Sequence, residues 1–169
     1  MQTYPTGYAE SHHIAEQIFR EILPRHSMAV REEQIALCHE VLDTLYNKEI
    51  SLCEAGVGTG KTLAYLVACI LWQMNRPEQM KLPIVISTSS VALQDAILTE
   101  YLPDLSAILL DEGIITAPIT AVVRKGKERF VCDARLAERA SLVHPKRTRE
   151  KSRLRIAENI LDMDHIPEL

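Results

Sequence analysis

Ile14, Ile18 and Ile22 recur four apart within Glu10 to Leu23, and Ile35, Ala36, Val41, Leu42 and Leu45 follow within Arg31 to Tyr46. Both stretches predict helices with one apolar face, separated by Pro24. Past Asn47-Lys48-Glu49, the short apolar run Ile50-Ser51-Leu52-Cys53 meets a glycine cluster, the pattern of a buried strand entering a loop. Lys61 to Met74 is apolar almost all round, as expected of a helix packed against a sheet, and Asn75-Arg76-Pro77 ends it. Pro83 to Thr88 predicts a second strand, because Ile84-Val85-Ile86 is β-branched throughout. Ser89 or Ser90 then caps a helix to about Tyr101. A further helix follows Pro103 as far as Asp111, Gly113 stops it, and Ile119 to Val123 reads as a third strand. Alternating strands and helices predict an α/β domain with a mainly parallel sheet, since parallel neighbours need a crossover helix.

The chain has 169 residues, 47% hydrophobic and 25% charged, which is enough for a buried core and about one domain. Its formal charge of −4 argues against a wholly basic nucleic-acid coat protein, so any DNA contact must be local. Charge is unevenly spread: Arg124 to Arg155 holds twelve basic residues against four acidic, a local +8 that leaves −12 elsewhere. This basic helical stretch is either a solvated face or the place where phosphate backbones are met. Cys38, Cys53, Cys69 and Cys132 form no CxxC pair, which argues against a secreted disulfide scaffold and a self-contained zinc site. Cys53 and Cys69 read as core residues. The N-terminus lacks a basic start and an apolar run, and no stretch approaches the roughly 18 apolar residues that span a bilayer. The expectation is a soluble, cytoplasmic protein without a membrane partner; oligomeric state is not legible.

The chemistry concentrates in Glu54-Ala55-Gly56-Val57-Gly58-Thr59-Gly60-Lys61-Thr62, at the predicted passage from strand to helix. Glycines there let the backbone curl until successive N–H groups form an anion nest, reinforced by the positive end of the following helix. Lys61 adds a mobile charge for the β- and γ-phosphates, and the Thr62 hydroxyl is placed to ligate Mg²⁺. The general pattern G-x-x-x-x-G-K-[ST] fails at its first position, Ala55, while Gly60, Lys61 and Thr62 remain. The expected ligand is ATP with Mg²⁺, held by Ala55, Gly56, Val57, Gly58, Thr59, Gly60, Lys61 and Thr62, the last two being the catalytic candidates.

Ala55 to Thr62 resembles motif I of superfamily-two helicases, and the longer string Glu54 to Leu66 is similar to the DinG branch, related to XPD. Arg31-Glu32-Glu33-Gln34 resembles the R-x-x-Q element upstream of motif I, which implies that Arg31 and Gln34 belong to the nucleotide site and that Gln34 reads the adenine edge. Val85 to Asp95 resembles motif Ia, whose turn touches single-stranded DNA in the family; the resemblance thus implies contacts from Thr88 and Ser89. Arg124-Lys125-Gly126-Lys127-Glu128-Arg129-Phe130-Val131-Cys132 resembles the K-G-R-x-N-Y-L-C element, which implies DNA contacts at Lys125 and Lys127. It also implies Cys132 as first ligand of a [4Fe–4S] cluster in a longer parent, since a cluster takes four thiolates and no cysteine follows position 132. The family implies ATP-dependent translocation on single-stranded DNA with 5′ to 3′ polarity.

The family's D-E-A-H box has no counterpart here. Ile108-Leu109-Leu110-Asp111-Glu112 has the form of a Walker B strand, although Leu102, Leu105, Ile108 and Leu109 also fit helical spacing. The resulting expectation is a partial RecA-like P-loop domain, with N-terminal helices over 1–48, the nucleotide-binding part over 49–128 and a basic helical segment over 129–169. Such a segment is expected to bind rather than catalyse alone. Two alternatives stay open: a stand-alone nucleotide-binding or regulatory module, and a small P-loop phosphotransferase using Asp111 and Glu112.

Overall fold

The computed structural model describes residues 7–77, 79, 81–126 and 131–142, in two units, Met1–Ala121 and Val122–Leu169. The first unit contains α1 (Tyr8–Gln17), α2 (Leu23–Arg25), α3 (Glu32–Asn47), α4 (Lys61–Met74), α5 (Val91–Ala96) and α6 (Leu102–Asp111). Within the second, α7 covers Asp133–Leu142, and its first turn is closed by the Leu136 N–H donating to the Cys132 carbonyl at 2.8 Å. The basic stretch from position 143 onward lies outside the described residues.

Among the described residues there is no strand, so the expected mainly parallel sheet is overturned and the architecture is helical. The reason lies in what makes a strand. β-propensity measures the fit of a side chain to a pleated surface, and a ladder needs a partner brought from elsewhere in the chain. Each of the three apolar runs lacks one. Ile50 and Leu52 are 96% and 98% exposed and Val85 is 87% exposed, while the Ile119 N–H donates to the Ser106 Oγ of α6 at 3.0 Å.

Prolines also act differently from expectation. Pro24 does not end the first helix; a π-helical turn over Ile18–Ile22 leads directly into α2, with Pro24 in its first turn. The same device recurs at Ile97–Tyr101, which leads into α6 with Pro103 in its first turn. In both, the residue before proline donates five residues back, Leu23 to the Ile18 carbonyl and Leu102 to the Ile97 carbonyl. A proline ring collides with the carbonyl four residues earlier in a regular helix, and widening the preceding turn relieves that conflict.

The core sits where α3 and α4 pack together. Ile35, Cys38 and Leu42 meet Ala64, Val67, Ala68 and Leu71, with Ala15, Ile18, Phe19 and Ile22 closing one side and Leu105 and Leu109 of α6 also buried. Cys38 behaves as a small hydrophobe, its thiol pushed far up by burial. Polar groups bind α1 to this pair. Ser11 is fully buried, 2.7 Å from the Tyr46 hydroxyl, and accepts from Asn75 Nδ2 at 2.9 Å. Gly7, at φ +84°, lies so close to Asn75 that a Cβ would stand 2.6 Å from it. His12 stacks on His39 of α3 with ring nitrogens 2.6 Å apart, and His12 Nε2 lies 3.1 Å from Asp43, which accepts the Tyr8 hydroxyl. His39 Nε2 is 2.9 Å from Glu16; Arg20 bridges Glu16 to Glu32 at the start of α3.

Leu71→Ala removes a fully buried side chain from the last turn of α4 and should cost about 3 kcal/mol, seen as a lower urea midpoint at unchanged slope. Burial and the neighbouring His39 hold His12 below its usual 6.5 despite the pull of Asp43, so the folded chain prefers the neutral ring. Stability contributed by that preference is present above about pH 6.5 and falls away as acid protonates the unfolded chain first. Urea midpoints should therefore drop between about pH 7.5 and about pH 5.5, and His12→Gln should flatten that drop.

Candidate functional site

The Ala55 to Thr62 loop is built between an extended, exposed stretch and the N-terminus of α4. Gly58 and Gly60 both take the left-handed backbone, φ +85° and +81°, a region costly for any residue with a Cβ. Gly60 caps α4, and its carbonyl accepts twice, from the Ala64 N–H at 3.2 Å and from Gln34 Nε2 at 2.8 Å. Gln34 is buried, 4% exposed, so this hydrogen bond satisfies a donor that would otherwise be stranded in the core. Arg31 caps α3 and donates from Nη1 to the Gly58 carbonyl at 2.7 Å. The loop is thus gripped from the first turn of α3 by two side chains three residues apart.

Within the loop, Lys61 Nζ donates to the carbonyls of Ala55 at 2.7 Å and Gly56 at 2.9 Å, and the Thr59 hydroxyl donates to Gly56 at 3.0 Å. These contacts fold the ammonium back onto the carbonyls at the start of the loop. Val57, at the tip, is fully exposed. Thr62 lies in the first turn of α4, half-buried, and hydrogen-bonds with Tyr65. Burial raises the Tyr65 hydroxyl while that bond to Thr62 works in the opposite direction. Tyr65 was not singled out from sequence, although its place three residues after Thr62 on one helix face was the available signal.

The other expected site residues belong to other segments of the chain. Thr88 Oγ1 accepts from the Ser90 N–H at 3.1 Å, Ser90 Oγ caps α5 through the Leu93 N–H at 3.2 Å, and Ser89 is exposed beside them. Lys125 belongs to the second unit, in the extended stretch before α7, and Lys127 lies outside the described residues. Asp111 ends α6 and Glu112 follows it, so the pair is not on a strand, and Glu112 is bound to Arg25 at 2.8 Å.

A four-iron cluster needs four converging thiolates. Cys38 is buried in the core, the Cys69 thiol is pushed up to about 11 by burial, and Cys132 belongs to the second unit. Cys53, expected in the core, is exposed beside Ser51, because the run that carries it is not covered by a sheet. Among the described residues no three of His, Cys, Asp and Glu are grouped to hold a metal ion. Cys38, Cys53 and Cys69 are thus not gathered as cluster ligands, and the role implied for Cys132 belongs to a longer parent.

The loop is a different case: left-handed glycines, a lysine folded back onto its carbonyls and a threonine in the first helical turn fit a nucleotide phosphate with Mg²⁺. The chain is 33% identical over 117 residues to the 3′-5′ exonuclease DinG of Bacillus subtilis (strain 168), which covers 69% of this chain and 11% of that protein. It is 25% identical over 114 residues to the 3′-5′ exonuclease DinG of Staphylococcus aureus (strain USA300), covering 68% of this chain and 12% of that one. The chain spans about a tenth of the length of these relatives. No family model and no solved structure matches it.

Both glycines should resist a side chain, but unequally. Gly58→Ala meets only backbone strain, of about 1–2 kcal/mol, because nothing stands within 4 Å of the added Cβ. Gly60→Ala adds a Cβ 2.1 Å from Gln34 Nε2 and should destabilise more than Gly58→Ala in urea unfolding.

Proposed function

Because this chain belongs to the DinG-like family, we propose that it is the nucleotide-binding segment of an ATP-dependent DNA-processing protein, with Ala55 to Thr62 as the phosphate site. The observation that carries this reading is the loop itself: two left-handed glycines precede the N-terminus of α4, and the Lys61 ammonium is folded back onto the loop carbonyls of Ala55 and Gly56. A bound triphosphate takes the Lys61 ammonium from the carbonyls of Ala55 and Gly56, exchanging two neutral acceptors for anionic oxygens. That exchange favours the ligand, since an anionic oxygen adds an ion-pair attraction to the ammonium that a neutral carbonyl lacks. The Thr62 hydroxyl would hold Mg²⁺, whose charge would offset that of the phosphates.

The DNA partner in this reading is single-stranded, with Thr88, Ser89, Lys125 and Lys127 as the contacts and 5′ to 3′ movement by the whole protein. Hydrolysis needs an acidic group to orient water; Asp111 and Glu112 stand at the end of α6 with Glu112 paired to Arg25, which favours binding over turnover by this segment alone. The exonuclease activity in the relatives' names is theirs.

Mg²⁺-ATP should bind the purified chain in calorimetry, and Lys61→Ala should weaken it at least tenfold at unchanged urea midpoint. Turnover above that of Lys61→Ala, with single-stranded DNA present, would overturn the binding-only part of this reading.

A further inference from the structure

The resemblance assigns Gln34 to the adenine base, yet its amide nitrogen is spent on the loop. Gln34 Nε2 donates to the Gly60 carbonyl at 2.8 Å, and Arg31 Nη1 donates to the Gly58 carbonyl at 2.7 Å. The acceptors belong to the two left-handed glycines of the loop, the positions whose backbone geometry sets where its amides point. A third observation marks the closeness of the fit: a Cβ on Gly60 would stand 2.1 Å from Gln34 Nε2 and 3.4 Å from Arg31 Nη1. Both donors stand on the first turn of α3, which is anchored in turn by α3–α4 packing and by the Arg20–Glu32 pair at 2.7 and 2.8 Å.

The geometry points to Arg31 and Gln34 as positioning residues that brace the phosphate loop, so that their effect on affinity is independent of the nucleobase. This deepens the nucleotide-binding reading and rests on it. Left-handed glycines are the most permissive residues in the chain, so without a brace the loop samples many backbone states and the anion nest must be assembled at the expense of affinity. Holding the two carbonyls fixes the peptide planes on either side, including the N–H groups of Thr59 and Lys61 that follow them. Whatever carries triphosphate oxygens then gains equally, be it a purine nucleotide or bare tripolyphosphate.

The test compares Mg²⁺-ATP, Mg²⁺-GTP and inorganic tripolyphosphate binding by calorimetry for the wild type, Arg31→Gln, Arg31→Lys and Gln34→Met. Arg31→Gln and Gln34→Met should weaken all three ligands by a common factor, roughly tenfold for a lost hydrogen bond to a preorganised loop, leaving the ATP-to-GTP ratio unchanged. Arg31→Lys, which keeps a donor, should restore most of the affinity. Arg31 is exposed, so its variants report on the brace even where Gln34→Met loosens the core. Loss confined to ATP, with tripolyphosphate binding intact, would make Gln34 a base reader and overturn the brace. Full affinity in Arg31→Gln would overturn it as well. A wild type that binds none of the three ligands would instead overturn the nucleotide reading, and the brace with it.

Discussion

The structure depends on α4 being buried along α3. A helix whose Ala64, Val67, Ala68 and Leu71 are all removed from water cannot stand alone, and the apolar stripe of α3 supplies the surface that covers it. Everything near the loop inherits its position from that contact. The start of α4 fixes Gly60, the start of α3 fixes Arg31 and Gln34, and the two starts lie side by side because the helices do. The far end is fixed by the same pairing, where Asn75 at the close of α4 reaches Ser11 of α1, itself in contact with Tyr46 of α3.

The helical part of the fold was legible because its signal is local. The apolar run from Lys61 to Met74 gives the observed bounds of α4 to the residue, and α3 begins one residue after the Arg31 to Tyr46 pattern does and ends one residue beyond it. The sheet was read from Ile50-Ser51-Leu52-Cys53, Ile84-Val85-Ile86 and Ile119 to Val123, where composition states a preference that only a neighbour can satisfy. Among the described residues no neighbour is supplied, and Leu52 and Val85 face water. Cys53 was misread for the same reason, being placed in a core that its run does not enter.

At the site, residue types were legible and partners were not. The spacing of Gly58, Gly60, Lys61 and Thr62 predicts a phosphate loop, and the structure places these residues at the head of α4, with both glycines left-handed. Nothing in the order Arg31-Glu32-Glu33-Gln34 reveals that its two ends meet carbonyls 27 and 26 residues away. Those contacts are tertiary, and Gln34 illustrates the point: a polar residue in the first turn of a helix is unremarkable until its burial at 4% exposure demands an acceptor.

The two π-helical turns carry a consequence for how the chain tolerates change in length. A turn that closes five residues back holds one residue more than a turn closing four back, and on a helix of 3.6 residues per turn that residue rotates everything beyond it by about 100°. Ile18–Ile22 and Ile97–Tyr101 are therefore phase shifters, which aim Leu23 and Leu105 into the core from helices that would otherwise present another side. Deleting one residue from either turn would convert it to a regular turn and leave the helix beyond on the same face, at the cost of pressing the proline that follows on the carbonyl it now clears; the same deletion elsewhere in these helices would rotate the apolar stripe away from the core. In this chain the geometry of two short segments, rather than any loop, sets the angular bookkeeping of the fold.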